Sequence, residues 1–114
     1  MMIGVDLVDV SRIARVIKKH GNRFLDKVFT EEEIQYVKGM KRMHESLAGR
    51  FAAKEAFMKA FGKRLVWKDI KVLQVKGKPF IHFHGKDYQG VSISHEQSYA
   101  VSVVVIYGSH SGNE

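Results

Sequence analysis

Two carboxylates sit where the surrounding sequence is apolar. Asp6 interrupts Ile3-Gly4-Val5-Asp6-Leu7-Val8, and Glu55 interrupts Phe51-Ala52-Ala53-Lys54-Glu55-Ala56-Phe57-Met58-Lys59. On a helix the surface neighbours of Glu55 are Ala48, Phe51, Ala52, Met58 and Lys59, because residues three, four and seven apart share a face. A carboxylate leaving so small and apolar a face needs a partner, since burying it alone is costly. Two partners are open. Lys59 at i+4 would give an ordinary helix pair worth about 0.2–0.5 kcal/mol. A divalent cation shared with Asp6 would give a metal site. Two isolated carboxylates suit a hard ion such as Mg²⁺, which keeps several waters and binds alongside substrate phosphates. Arg50, Lys54, Lys59, Lys63 and Arg64 surround Glu55 with positive charge, which suits phosphate or simply faces solvent. Asp6 has an alternative role at the start of the next helix, although Asp9 lies nearer to that start.

The histidines are less directive. His95 ends a strand at a tight turn, where a turn hydrogen bond is the ordinary role. His82-x-His84 puts two imidazoles on one strand face, a possible metal pair or a half-exposed edge. His20, His44 and His110 carry no pattern. No Ser/His/Asp arrangement, P-loop, GxGxxG or stacking-aromatic signature is present.

The elements that must position these groups follow from periodicity. Residues 3–10 alternate as a strand, with Ile3, Val5 and Leu7 on one face and Gly4, Asp6 and Val8 on the other. Ser11 is placed to cap a helix over 12–20, ended by Gly21. Thr30-Glu31-Glu32-Glu33 is a capping box opening a short helix to about Lys38. The longest helix spans about 44–61 and stops at Gly62. Strands are then expected over 66–76, 80–84, 91–94 and 99–106, with turns at Gly77-Lys78-Pro79, Gly85-Lys86-Asp87 and 95–98, and a frayed tail over 108–114. One strand, then helices, then a run of strands indicates an α+β fold.

Composition narrows the function. The length suits a single domain, 1–114, and 45% hydrophobic residues can fill its core. The absence of cysteine excludes a disulfide scaffold, a thiolate zinc site and a cysteine nucleophile. The start has no basic leader region, and the longest apolar stretch, Tyr99 to Tyr107, is too short to span a bilayer. A soluble, cytoplasmic protein without membrane partners is expected. With 19 Lys+Arg against 12 Asp+Glu the formal charge is +7, which calls for a polyanionic partner.

Four ordered segments carry a resemblance that bears on that partner. Gly49-Arg50-Phe51-Ala52-Ala53-Lys54-Glu55-Ala56-Phe57-Met58-Lys59-Ala60 strongly resembles the signature helix of the holo-[acyl carrier protein] synthases, the stand-alone 4′-phosphopantetheinyl transferases. Ile3 to Ile13, Trp67-Lys68-Asp69-Ile70-Lys71-Val72, and Val91-Ser92-Ile93-Ser94-His95 with Tyr99-Ala100-Val101 follow in the family's order. The resemblance covers roughly residues 3–106. It implies a transferase that moves the phosphopantetheine arm of coenzyme A to a serine of an apo acyl carrier protein, releasing adenosine 3′,5′-bisphosphate, in support of fatty acid biosynthesis. By the same resemblance Asp6 and Glu55 match magnesium-binding acids, with Mn²⁺ as an alternative ion. Lys59 matches a lysine at the coenzyme phosphates; Arg50, Lys54 and His95 fall beside the nucleotide pocket. Arg12 matches the basic residue of a carrier-docking helix, to which Arg15, Lys18, Lys19 and Arg23 add charge. The family is trimeric with active sites at subunit interfaces, and its α+β fold wraps a curved antiparallel sheet around the long helix.

One segment departs from the family. Only Gly62-Lys63-Arg64-Leu65-Val66 separates the long helix from the Trp67 segment, where a longer Gly/Thr-rich loop is usual. Two rival readings remain: a small nucleic-acid-binding module resting on charge alone, with steep salt dependence and no use for Asp6 or Glu55, and a homologue that docks the carrier without turnover. The transferase reading involves no nucleic acid.

Overall fold

The computed structural model describes residues 1–108; the remainder of the expected tail, with His110, lies outside the described residues. In chain order the elements are β1 (Met2–Asp9), α1 (Val10–His20), α2 (Asn22–Val28), α3 (Glu31–Val37), α4 (Met43–Phe61), a 3-10 turn (Trp67–Asp69), β2 (Lys71–Val75), β3 (Lys78–Phe83), β4 (Lys86–Tyr88), β5 (Val91–His95) and β6 (Tyr99–Ile106). The strands form two antiparallel three-stranded sheets, β1-β6-β5 and β2-β3-β4, giving the expected α+β fold.

The long helix organises the core. Small residues let other elements approach it closely, and it is buried around most of its circumference, from Glu45 to Ala60. At one end Ala48 and Ala52 pack with Val8, Ile13, Phe29, Val37, Leu47 and Ala100. At the other, Ala53, Ala56, Phe57 and Ala60 pack with Ile70, Val72, Ile81, Phe83, Val104 and Ile106. Gly4 is where β1 crosses α4: a Cβ there would overlap the Ala56 carbonyl. Gly49 likewise admits β5, whose Ile93 methyl would lie 2.9 Å from an added Cβ.

The alternation in β1 is as the sequence predicts, and the structure shows which face is inward. Gly4, Asp6 and Val8 turn toward α4, while Ile3, Val5 and Leu7 are exposed. Pairing sets them across from Val105, Val103 and Val101 of β6, so the outer surface of β1 and β6 is apolar, while β5 carries the exposed Ser92 and Ser94 beside it.

Several local expectations are corrected. Asp9, not Ser11, caps α1: its Oδ1 accepts from the Ser11 backbone N–H at 2.9 Å and from the Ser11 hydroxyl at 2.7 Å. Helix α2 was not anticipated; it starts directly behind Gly21 with no side-chain cap. Residues 66–70 are not strand, because the Asp69 and Ile70 N–H groups turn back onto the Val66 and Trp67 carbonyls. Both hairpin turns fall one step earlier than expected, at Lys76-Gly77 (φ 52° and 78°) and His84-Gly85 (φ 47° and 78°). Two successive positive φ values give the turn whose twist matches the flanking strands. The early second turn leaves room for β4. The Thr30–Glu33 capping box and the left-handed stop at Gly62 (φ 94°) stand as predicted.

Candidate active site

The inward face of β1 meets α4 beside Asp6, and there the structure joins the two acids singled out by the sequence. Lys59 Nζ donates to Asp6 Oδ1 at 3.2 Å and to the Val5 carbonyl at 3.0 Å. Glu55, one turn back along α4, accepts from Arg64 at 3.1 Å. The helix pair between Glu55 and Lys59 is therefore not the arrangement adopted: each acid takes a cation from a different element. Burial pushes the Asp6 carboxyl above its ordinary value; the bond to Lys59 and its charge oppose this, Glu55 adds to it, and Arg12 opposes it. The two carboxylates thus feel each other across the strand–helix contact, with Arg12 of α1 near enough for its charge to act on Asp6.

The donor set suits a hard divalent cation. Two carboxylates come from two rigid elements, and among the described residues no group of three or more His, Cys, Asp or Glu is gathered to hold a metal. Mg²⁺, which keeps several waters and binds alongside substrate phosphate, is an ion that two such carboxylates would fit.

A cavity of about 320 Å³ opens at the N-terminal half of α4, lined by Arg42, Ser46, Arg50, Gln74, Ile93 and His95 among others. Arg50 is buried; it donates to the Ser46 hydroxyl at 2.7 Å and lies 4.7 Å from the centre of the Tyr36 ring. Its buried Nε has no hydrogen-bond partner, which is unusual for an interior polar atom. His95 Nδ1 stands 3.1 Å from Glu45 Oε1, which orients the ring toward the cavity wall it shares with Arg50. The Tyr36 hydroxyl donates to Gln74 Oε1 at 2.8 Å across the same opening. Tyr36, Gln74 and Glu45 had no sequence signal beyond Glu45 lying one turn before Gly49, and were missed.

Lys54 does not belong to this cavity. Its side chain is fully buried, with Nζ donating to Glu33 Oε1 and the Val28 carbonyl at 2.7 Å each and to the Trp67 carbonyl at 3.2 Å. Burial pushes its pKa down and Glu33 opposes that shift. Glu33 also accepts the Thr30 N–H and, through Oε2, the Val72 N–H at 2.8 Å each. The expectation of a nucleotide contact is corrected: Lys54 ties α2, α3, α4, the 3-10 turn and β2 together from inside. Arg12, Arg15, Lys19 and Arg23 are exposed along α1 and the start of α2, with Arg15 donating to the Ser11 hydroxyl at 3.1 Å.

A strand-borne and a helix-borne acid, each paired with a cation, suit a class of protein that comparison with known proteins identifies. The chain belongs to the 4′-phosphopantetheinyl transferase superfamily, whose family model matches residues 2–104. A holo-[acyl-carrier-protein] synthase from Halothermothrix orenii is 44% identical, covering 90% of this chain and 94% of its own. The crystal structure of a Bacillus anthracis holo-(acyl-carrier-protein) synthase in complex with CoA (3′,5′-ADP) superposes with a TM-score of 0.80 at 36% identity, covering 90% of this chain and 92% of that one. The Helicobacter pylori holo-[acyl-carrier-protein] synthase in complex with coenzyme A gives a TM-score of 0.83 at 31% identity over 93% and 100% of the two chains.

Proposed function

We propose that this chain transfers 4′-phosphopantetheine from coenzyme A to a serine of an apo acyl carrier protein, leaving adenosine 3′,5′-bisphosphate, and that it serves fatty acid synthesis. The observation that carries the reading is the meeting of Asp6 and Glu55 from two different elements, each already paired with a cation. Asp6 and Glu55 would hold the Mg²⁺ or Mn²⁺ ion. When bound, such an ion would supply positive charge to offset the negative charge that develops in phosphoryl transfer.

The remaining roles belong to the chain itself. Glu55 accepts the proton of the attacking serine, and Lys59 offsets negative charge on the departing bisphosphate. Arg50 and His95 hold the nucleotide portion of the coenzyme; the unpartnered Arg50 Nε supports an anionic occupant of their cavity. The exposed cations Arg12, Arg15, Lys19 and Arg23 present a charge-complementary surface to an acidic carrier, an encounter sensitive to salt. The outer face of β1-β6-β5, with Ile3 57% and Leu7 65% exposed, supports a homotrimer closed through that sheet, with active sites at its seams. No described helix is long and apolar enough to cross a membrane, and the cytoplasm is the compartment proposed.

Mass spectrometry of an apo carrier incubated with coenzyme A, Mg²⁺ and the protein tests the reading. Addition of one phosphopantetheine is expected, and its absence across several carriers would overturn the proposal. Glu55→Gln and Asp6→Asn are each expected to slow transfer by about 10²-fold or more; near-normal rates in saturating Mg²⁺ would remove both acids from the mechanism.

A further inference from the structure

The shortened segment after α4 places a side chain directly on the proposed metal ligand. Gly62, in the left-handed conformation, ends the helix and turns the chain back toward the site. Two residues later Arg64 NH1 reaches Glu55 Oε1 at 3.1 Å, while its guanidinium carbon lies 5.5 Å from the centre of the Trp67 ring. Lys63, its neighbour, points elsewhere, with Nζ 5.8 Å from the Phe61 ring centre. The Arg64 side chain is 69% exposed against 22% for Glu55, so the cation is the partner free to leave. Lys59, Gly62, Lys63 and Arg64 border an open pocket of about 390 Å³ next to this contact.

We propose that Arg64 is a displaceable counter-ion of Glu55: it occupies the carboxylate in the resting protein, leaves it when a divalent cation binds, and transfers to the phosphates of the incoming coenzyme. The proposal rests on the reading of Glu55 as a metal ligand. A guanidinium and a divalent cation repel each other on one carboxylate, so the resident arginine weakens metal binding by the free energy of its own pair. For a pair this exposed that is a small factor. Phosphate offers the guanidinium a better-matched, forked acceptor, so a bound diphosphate removes the competition. Coupling of this kind is reciprocal: cation and coenzyme each improve the other's binding. In this chain one movable charge would thus link the cofactor and substrate subsites.

Mn²⁺ binding measured by electron paramagnetic resonance, with and without inorganic pyrophosphate as the phosphate probe, tests this without reference to turnover. Arg64→Gln is expected to bind Mn²⁺ about two- to five-fold more tightly than wild type in the absence of pyrophosphate, and to lose a matching part of the gain that pyrophosphate gives. Lys63→Gln removes an equal charge that does not touch Glu55, and is expected to give less than half that gain. Trp67 is the single tryptophan, so Mn²⁺-independent controls with Mg²⁺ are expected to shift its emission in wild type and not in Arg64→Gln. Unchanged or weaker Mn²⁺ binding by Arg64→Gln, or an equal gain in Lys63→Gln, would overturn the proposal. Glu55→Gln separates the two levels. If it binds Mn²⁺ as wild type does, the ligand reading falls and the counter-ion with it; if it loses Mn²⁺ while Arg64→Gln gains nothing, only the counter-ion role falls.

Discussion

Lys54 and Lys59 stand on one helix, five residues apart, and face opposite fates. The rotation between them is about 140°. That turn carries Lys54 into the interior, where Glu33 meets it at 2.7 Å with neither side chain exposed, and carries Lys59 to the rim, where Asp6 meets it at 3.2 Å with the lysine side chain 55% exposed. The inner pair is hydrogen-bonded to backbone on every side: Val28 and Trp67 carbonyls at the ammonium, Thr30 and Val72 N–H groups at the carboxylate. The outer pair has water within reach and one backbone contact, the Val5 carbonyl. The same two chemical groups therefore make a fixed strut in one place and an exchangeable charge in the other. Burial, and not residue type, decides which.

The sharpest way to break this contrast is to remove each lysine in turn. Lys59→Met is expected to lower the rate of carrier modification by about 10²-fold, with a thermal midpoint within a few degrees of wild type because an exposed pair contributes at most about 1 kcal/mol. Lys54→Met should do the reverse at the level of the fold. It leaves Glu33 charged and unpaired in the interior, at a cost of about 3–5 kcal/mol, which differential scanning calorimetry would register as a drop in Tm of roughly 10 °C or more. If the two variants exchanged these phenotypes, the assignment of roles along α4 would be wrong.

A finer test asks whether the inner pair is valued for its charge or for its hydrogen bonds. Glu33→Gln combined with Lys54→Met removes both charges and keeps one side-chain oxygen to receive a backbone N–H. It is expected to recover part of the stability lost in Lys54→Met alone, read as a higher denaturation midpoint; a double variant less stable than the single one would show that the carboxylate's two acceptors matter more than neutrality.

The smallest expected effect lies outside both pairs, at Asp9. Its carboxyl is held below the ordinary value of 3.8 mainly by the Ser11 hydroxyl, with the Ser11 and Arg12 backbone N–H groups and Arg15 adding to it. A group depressed on folding contributes stability above its unfolded value and loses that contribution as pH falls through the folded one. Asp9→Ala should therefore be slightly less stable than wild type at pH 7, and the gap should narrow below about pH 3.8, the ordinary value, in a series of thermal melts. Asp9→Asn, which can still cap, should show little loss at pH 7.

The two acids that the structure brings together were more legible in the sequence than the packing around them. Asp6 and Glu55 were visible because an acid in an apolar context is a local anomaly, and the long helix and the capping box were visible because their signals lie within one turn. What escaped depended on neighbours distant in the chain. Helix α2 is seven residues long behind an uncapped glycine, and β4 is three residues long; neither is long enough to establish a period. Trp67–Asp69 reads as strand because Val66, Ile70 and Val72 are apolar, yet a turn of backbone bonds wins there. Arg64 pairs with a residue nine positions earlier, beyond a helix end, where counting by turns no longer applies. The interior place of Lys54 is not legible in the sequence because its partner, Glu33, is twenty-one residues away on another helix and its own helix is buried nearly all round.

Gly4 bears on how far the site can drift. Because nothing but backbone separates β1 from α4 at that crossing, the distance from the Asp6 main chain to the Glu55 main chain is set by two peptide units in contact, which do not hop between rotamers as core side chains do. Substitutions elsewhere in the interior can trade methyl groups without moving that datum. The strand can be pried off the helix by a single added carbon at position 4, so the glycine acts as a shim of zero thickness: the tolerance of the candidate site is machined there, two residues before the first acid, and by an atom that is not present.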